Sequence, residues 1–236
     1  MKTLTLLDFN YLIVSNENFD DSSLKDTFAF FLPLGIRKFI FTVSYDPRLH
    51  PICWIMDRLR QLRMRLRTLR PRGTVCEVYP CVVLSEEIVY HNDLKRMCLK
   101  GTSYLFLRIP PFSDPSNFDK NLNYLCFQRK CRPILVSFED NLKIDLQYDF
   151  LERTVRSSLF HLSLDLNYVT ALTSDHWIRF AIQNESRFLP GISHSLTNYP
   201  SVAKHMAELK EEIGPSNYTK FCRLLQESGH RLFSHS

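Results

Sequence analysis

Short apolar runs alternate with longer amphipathic segments along the chain. The runs are rich in β-branched and aromatic residues, as in 38–44 (KFIFTVS) and 104–109 (YLFLRI), and this composition predicts strands. The predicted strands are 3–8, 38–44, 75–84, 104–109, 133–137, 160–166 and 188–193. Strands separated by helical segments of this length predict a parallel sheet with right-handed crossovers.

The segments between the strands carry apolar residues at helical spacing. In 47–70 this stripe is Ile55, Leu59, Leu62, Leu66 and Leu69. The predicted helices are 22–34, 47–70, 93–100, 118–130, 147–158, 173–186, 200–213 and 216–228. No linker or composition shift divides the chain, so we expect a single domain over 1–236, an α/β fold built as one closed or nearly closed barrel.

Composition excludes several classes of function. The chain has 6 glycines and lacks the glycine-rich motifs that cradle nucleotides. It shows no signal segment and no apolar run of the ~20 residues that span a bilayer. Its 7 cysteines form no paired framework, which favours a cytoplasmic protein with reduced thiols.

Positive charge is concentrated in one predicted helix. The net charge is +5, and residues 58–72 contain seven arginines. Arg63, Arg67 and Arg70 share a face opposite the leucine stripe and form a candidate anion-binding helix. The alternative is the solvated face of an outer helix, and the lack of interleaved aromatic residues makes nucleic acid an unlikely ligand.

Chemistry in a β/α barrel lies at the C-terminal ends of the strands. In this chain those ends are predicted at Asp8 to Leu12, Ser44 and Tyr45, Val83, Arg108, Ser137 to Asn141 and 192–194. Most of these side chains are not imidazole or carboxylate, the groups that bind hard or borderline divalent ions. The predicted barrel mouth therefore has the position of a catalytic site without most of its ligands.

The order of segments resembles the polymerase-and-histidinol-phosphatase (PHP) superfamily, and within it the capsule-biosynthesis tyrosine phosphatases of Gram-positive bacteria. The family's opening D-x-H-x-H is matched by residues 8–12 (DFNYL), and its following aspartate pair by Asp20 and Asp21. The family's P-I-L-A-H-P-E-R-N is matched by 133–141 (PILVSFEDN). This resemblance covers about residues 3 to 228 and implies a distorted TIM-like (β/α)7 barrel.

The family's metal ligands are mostly replaced in these motifs. Asn10 and Leu12 stand for two histidines, Ser137 for a third, and Arg108 for a glutamate. The histidines that end the family's second strand have no counterpart in 41–45, its glutamate after strand 3 falls near Val83, and of its last motif only His194 is kept. Such phosphatases need a multinuclear site, commonly manganese, that activates water.

Two hypotheses follow from this resemblance. The first is a non-catalytic PHP-fold binding or regulatory protein, with no cofactor, linked to phosphotyrosine regulation of capsule or exopolysaccharide. Its ligand pocket at the former active site would contain Asp8, Asn10, Arg108, Ser137, Glu139 and His194. The second is an active metal-dependent phosphoesterase with a rebuilt site, for which Asp20, Asp21 and His194 are the residual metal ligands and manganese or another divalent ion is the cofactor.

Each of these residues also has a structural explanation. Asp20 and Asp21 precede a helix, where aspartate is a good N-cap. Glu139 could lie in an exposed loop, and His194 could hydrogen-bond a loop. The expected partners are a phosphorylated or acidic ligand and, by resemblance alone, a tyrosine kinase or phosphatase, with homo-oligomers as a further expectation.

Overall fold

The structure is a computed structural model, and it describes residues 11–16, 19–110, 115–136, 161–166, 188–193 and 199–233. The described strands are β1 (Tyr11–Asn16), β2 (Lys38–Tyr45), β3 (Val75–Val83), β4 (Tyr104–Arg108), β5 (Arg132–Val136), β6 (His161–Asp165) and β7 (Phe188–Ser193). All seven are parallel to their neighbours and close into a barrel in sequence order. The predicted barrel is confirmed.

Helices surround this barrel. They are α1 (Asp21–Phe31), α2 (Ile52–Leu69), α3 (Glu86–Val89), α4 (Leu94–Met97), α5 (Pro115–Asn123) and a final helix, α6 (Tyr199–Phe233). A π-helical turn, Tyr124–Gln128, extends α5. The helix predicted at 93–100 is present but shorter, as α4, and the other short helix between β3 and β4, α3, was not predicted. The helix predicted at 47–70 begins later, since Pro51 and a turn at 47–49 precede it. The helices predicted at 147–158 and 173–186 lie outside the described residues.

Two layers of apolar side chains hold the fold together. Side chains of a strand alternate between its two faces, and β1 to β5 each contribute apolar side chains to both layers. The layer between barrel and helices contains the α2 stripe, Ile55, Leu59, Leu62 and Leu66, and a cluster of phenylalanine rings. Phe28 of α1 meets Phe39 and Phe41 of β2 edge-on, at centroid distances of 5.1 and 6.1 Å.

The second layer fills the inside of the barrel. Its members are Ile13, Ile40, Tyr79, Cys81, Leu99, Phe106, Ile134, Val136 and Leu189. Ile13, Ile40, Phe106 and Ile134 are 0% exposed. The middle of the barrel is therefore a packed core, and open space is left to the two ends.

The register of β1 corrects the sequence analysis. Tyr11 pairs with Lys38 and Asn16 with Val43, so Leu12 lies near the N-terminal end of the barrel and packs in the outer layer. The prediction that Leu12 lies at the mouth is wrong. The predicted strand 3–8, with Asp8 and Asn10, lies outside the described residues.

Candidate ligand site at the barrel mouth

Arg108 is the last residue of β4 and belongs to the inner face of the barrel. Phe106 and Tyr104, which lie two and four residues earlier and so share its face of the strand, both pack in the inner layer. Arg108 pairs with Val83 of β3 and with Val136 of β5, and it is half-buried. Arg108 was predicted at the C-terminal end of its strand, and the structure has it there.

Small hydroxyl groups line the inner face at this end. Ser15 Oγ and Thr42 Oγ1 lie 2.7 Å apart across β1 and β2, and Thr42 is fully buried. Ser163 of β6 is also buried and pairs with Val136. Below them Cys81 adds a thiol whose pKa is raised to about 12 by burial, so it is neutral and unfit as a nucleophile. The lining can donate and accept hydrogen bonds.

Tyr45 does not take part in this lining. It ends β2 but is 1% exposed and packs in the outer layer with Phe41. Burial raises the pKa of Tyr45, with the nearby Cys53 and Asp46 adding to the effect, so the phenol remains protonated. The position that carries histidine in the family motif is thus used here for packing against the helices.

The carboxylate directly beyond β2 is occupied by an arginine. Asp46 Oδ1 accepts from Arg48 Nε at 2.9 Å, and Oδ2 accepts from Arg48 Nη2 at 2.6 Å. These bonds hold the pKa of Asp46 below its usual range. Both oxygens of this group are therefore engaged in a bidentate ion pair.

Asp20 and Asp21 have structural partners at the start of α1. Asp20 is the N-cap: its Oδ1 accepts from the Ser23 amide at 2.7 Å, and its own amide donates to Ser23 Oγ at 3.2 Å. Asp21 lies 4.0 Å from Arg65 Nε in an exposed ion pair. Asp20 therefore caps the helix, as one of the two alternatives predicted. A metal-binding role for Asp20 or Asp21 stays a prediction.

The described part of the mouth does not offer a ligand set for the metal of PHP phosphatases. Within the ranges that the structure describes, no group of three His, Cys, Asp or Glu side chains could hold an ion. Arg108 places a cationic side chain at the end of β4, where the resemblance predicts a glutamate ligand. Ser137, Glu139 and His194 lie outside the described residues; the strands before them end at Val136 and Ser193.

Sequence reasoning missed two residues that end strands at this edge. β1 ends at Asn16 and β6 at Asp165, and neither was a candidate. For Asp165 the signal was present, since a polar residue closes the apolar run at 160–166. Asn16 could not be recognised as a strand end, because the first strand was predicted to end at residue 8.

Comparison with known proteins supports the fold alone. No protein-family model matches the sequence, and no curated protein matches it. A solved structure from work on two metal-dependent tyrosine phosphatases, YwqE from Bacillus subtilis and CpsB from Streptococcus pneumoniae, is similar with a TM-score of 0.60. The match covers 89% of this chain and 88% of that chain at 15% sequence identity. The chain shares the fold of these phosphatases.

That similarity confirms the barrel fold that the resemblance implied. The described strands form a closed seven-stranded parallel barrel, and the solved structure shares this chain's fold over 89% of its length. No helix of the described residues is long and apolar enough to cross a membrane.

Proposed function

We propose that this chain is a PHP-fold binding protein that recognises a phosphorylated or acidic ligand at the barrel mouth without hydrolysing it. The observation that carries the proposal is Arg108, an arginine on the inner face at the C-terminal end of β4. Guanidinium groups bind phosphate and carboxylate through paired hydrogen bonds. Ser15, half-buried at the same end and hydrogen-bonded to the buried Thr42, provides a hydroxyl group.

The same arginine opposes a metal cluster. Two unit charges ~4 Å apart at an effective dielectric of ~20 interact by roughly 4 kcal/mol, so a cation beside Arg108 is strongly disfavoured. Asp46, the described carboxylate nearest to the end of β2 in sequence, is already neutralised by Arg48. Water activation needs a cation held by anionic groups, and these residues favour an anion instead.

Binding of O-phosphotyrosine by the purified chain tests this proposal. Calorimetry should show saturable binding, and Arg108→Gln should weaken it about tenfold or more, because a hydrogen bond to a charged group contributes about 1.5–3 kcal/mol. Arg60→Gln is the matched control, since Arg60 is exposed on α2 and paired with Asp57. Absence of binding, or equal binding by both variants, would contradict the proposal.

The alternative is the metal-dependent phosphoesterase with a rebuilt site. It is supported by the fold shared with metal-dependent tyrosine phosphatases. Metal analysis of the purified chain and turnover of an aryl phosphate with added manganese separate the two. Two or more tightly bound manganese ions per chain, with turnover lost in His194→Ala, would favour the enzyme.

A link to capsule or exopolysaccharide regulation in the cytoplasm belongs to the same proposal and depends on the resemblance. A tyrosine kinase or a true phosphatase would then be the source of the phosphorylated ligand. Co-purification of this chain with such a kinase, lost in Arg108→Gln but retained in Arg60→Gln, would support that setting.

A further inference from the structure

A basic cleft lies at the end of the barrel opposite the mouth. It has a volume of about 410 Å³ and is lined by Arg63, Arg67, Arg70 and Lys100, with walls from Leu66, Cys76, Glu77, Val78 and Tyr79. We call it the basal cleft. Helix α2 runs back from the mouth, so the cleft contains its C-terminal half together with the first half of β3 and the turn before β4.

The cleft exists because β3 and β4 separate at this end. They pair only from Cys81 and Phe106 to Val83 and Arg108. Backbone groups of a strand point alternately to its two neighbours, and Val75 N donates toward β2, to Arg37 O. Val78 and Pro80 therefore face β4, and Pro80 has no N–H to continue the ladder.

Arg63 occupies the opened edge. Its Nη2 donates to the unpaired carbonyl of Val78 at 2.8 Å. Burial lowers the pKa of Arg63, which reflects a guanidinium partly withdrawn from water. The arginine thus satisfies one strand carbonyl and leaves its remaining donors in the cleft.

Within the described part of the chain, acidic side chains do not balance the positive charge in the cleft. Among the residues that the structure describes, Arg63, Arg67, Arg70 and Lys100 make no ion pair within 4.0 Å. The one carboxylate in the lining, Glu77, is bound by Lys38 Nζ at 2.9 Å and by the Tyr79 hydroxyl at 2.7 Å. Four cations therefore face a concave space with one carboxylate that is already engaged.

The other arginines of α2 are used differently. Arg65 donates to Phe19 O at 2.6 Å, Arg60 pairs with Asp57, and Arg58 stacks 5.1 Å from the centre of the Trp54 ring. The C-terminal dipole of a helix accounts for a cation such as Arg67 in the last turn. It does not account for Lys100, which reaches the same space from another segment.

We infer that the basal cleft binds a small organic phosphate. Three guanidinium groups and an ammonium group suit an anion with two or more charges. The apolar walls from Leu66, Cys76 and Val78 suit an organic body, and the volume lies within the range of about 300–1,000 Å³ that is usual for ligand pockets. This site is distinct from the mouth and does not depend on the function proposed there.

Titration of the full chain with adenosine 5′-monophosphate and with inorganic phosphate, at low salt, tests the inference. Both should bind, the nucleotide more tightly because the cleft has apolar walls. Arg67→Gln/Arg70→Gln, and separately Lys100→Gln, should weaken nucleotide binding about tenfold. Arg63 is not substituted, because it donates a hydrogen bond to Val78 O and its removal could destabilise the fold as well as weaken binding.

Two controls locate the effect. Arg58→Gln/Arg60→Gln removes the same charge from the same helix away from the cleft and should change the affinity by less than about twofold. In an Arg108→Gln background, which removes the guanidinium of the mouth, the nucleotide should still bind, and Arg67→Gln/Arg70→Gln should still weaken that binding about tenfold, which separates this site from the mouth. Thermal melts check that each variant folds.

Three outcomes would overturn the inference. These are no binding of either probe, an equal loss in the Arg67/Arg70 and Arg58/Arg60 pairs, and preferential binding of a duplex oligonucleotide that both pairs weaken alike. The last two would indicate a charged surface without a defined pocket.

Discussion

Asp20 and Asp21 are adjacent acidic residues with different surroundings. Asp20 exchanges two hydrogen bonds with Ser23 across the first turn of α1, whereas Asp21 meets only the edge of an exposed arginine. A capping box satisfies amides that the helix itself cannot bond. An exposed ion pair at 4.0 Å contributes little. The two side chains should therefore differ in their contribution to stability.

Replacing Asp20 with alanine should lower the free energy of unfolding by about 1 kcal/mol, because the cap is lost. Asp21→Ala should change it by less than about 0.5 kcal/mol. Urea denaturation followed by circular dichroism measures both. An equal effect of the two substitutions would contradict the capping role.

Individual residues of the mouth were predictable to different degrees. Arg108 was predicted near the end of a strand at 104–109 that Pro110 stops, and in the structure β4 ends at Arg108 itself. Tyr45 could not be oriented from sequence, because an aromatic residue at a strand end suits either face. Only packing of β2 against α1 and α2 decides that Tyr45 faces outward.

At the scale of elements, the strands with sharp boundaries were predicted well. β2 and β3 match their predicted ranges to within one residue. β1 did not, because 3–8 and 11–16 are both apolar runs and nothing local selects the one that pairs with β2. Packing of the whole barrel selects 11–16, because its register with β2 buries Leu12 and Val14 under the helices.

The final helix, α6, contains a break at the position where the sequence predicted a boundary between two helices. Two helices were predicted on either side of Gly214, and the structure has Tyr199–Phe233 interrupted at Gly214, with φ 80° and ψ 157°. This backbone region is open almost exclusively to glycine. Pro215 follows, where its missing N–H is tolerated at the first turn of a helix.

Gly214→Ala should destabilise the protein by about 1–3 kcal/mol through backbone strain alone. An added Cβ would meet nothing within 4 Å, so a steric clash does not contribute. Glu212→Ala, at an exposed position two residues earlier, is the control and should be nearly neutral. Thermal melts measure both, and a neutral Gly214→Ala would contradict the strained geometry.

On the scale of the molecule, the sequence predicted the closed parallel barrel but neither of its ends in detail. Periodicity reports which side chains are buried, and the order of strands follows from right-handed crossovers. The opening between β3 and β4 depends on where a ladder stops, and Pro80 marks that point only once its neighbours are known. The basal cleft was therefore visible in sequence only as an arginine-rich helix face.

Phe106 should contribute most where the barrel is narrowest. It is 0% exposed and packs 6.0 Å from the Tyr79 ring inside the barrel. Phe106→Ala should lower the free energy of unfolding by about 3–5 kcal/mol, because it leaves a cavity that the closed strands cannot collapse around. Phe127→Ala, at a ring that is 61% exposed, should cost less than about 0.5 kcal/mol. Similar losses in denaturant melts would contradict this view of the core.

The inside of the barrel is filled by Ile13, Ile40, Phe106 and Ile134, and this packing affects how its two ends are connected. These buried side chains separate the two ends of the barrel by a packed apolar layer. If the basal cleft and the mouth both bind ligands as proposed, a compound beside Arg67 would have no direct path along the axis to Arg108, and the two ends could bind unrelated compounds at the same time. Each end is therefore free to change its chemistry while the other keeps its own.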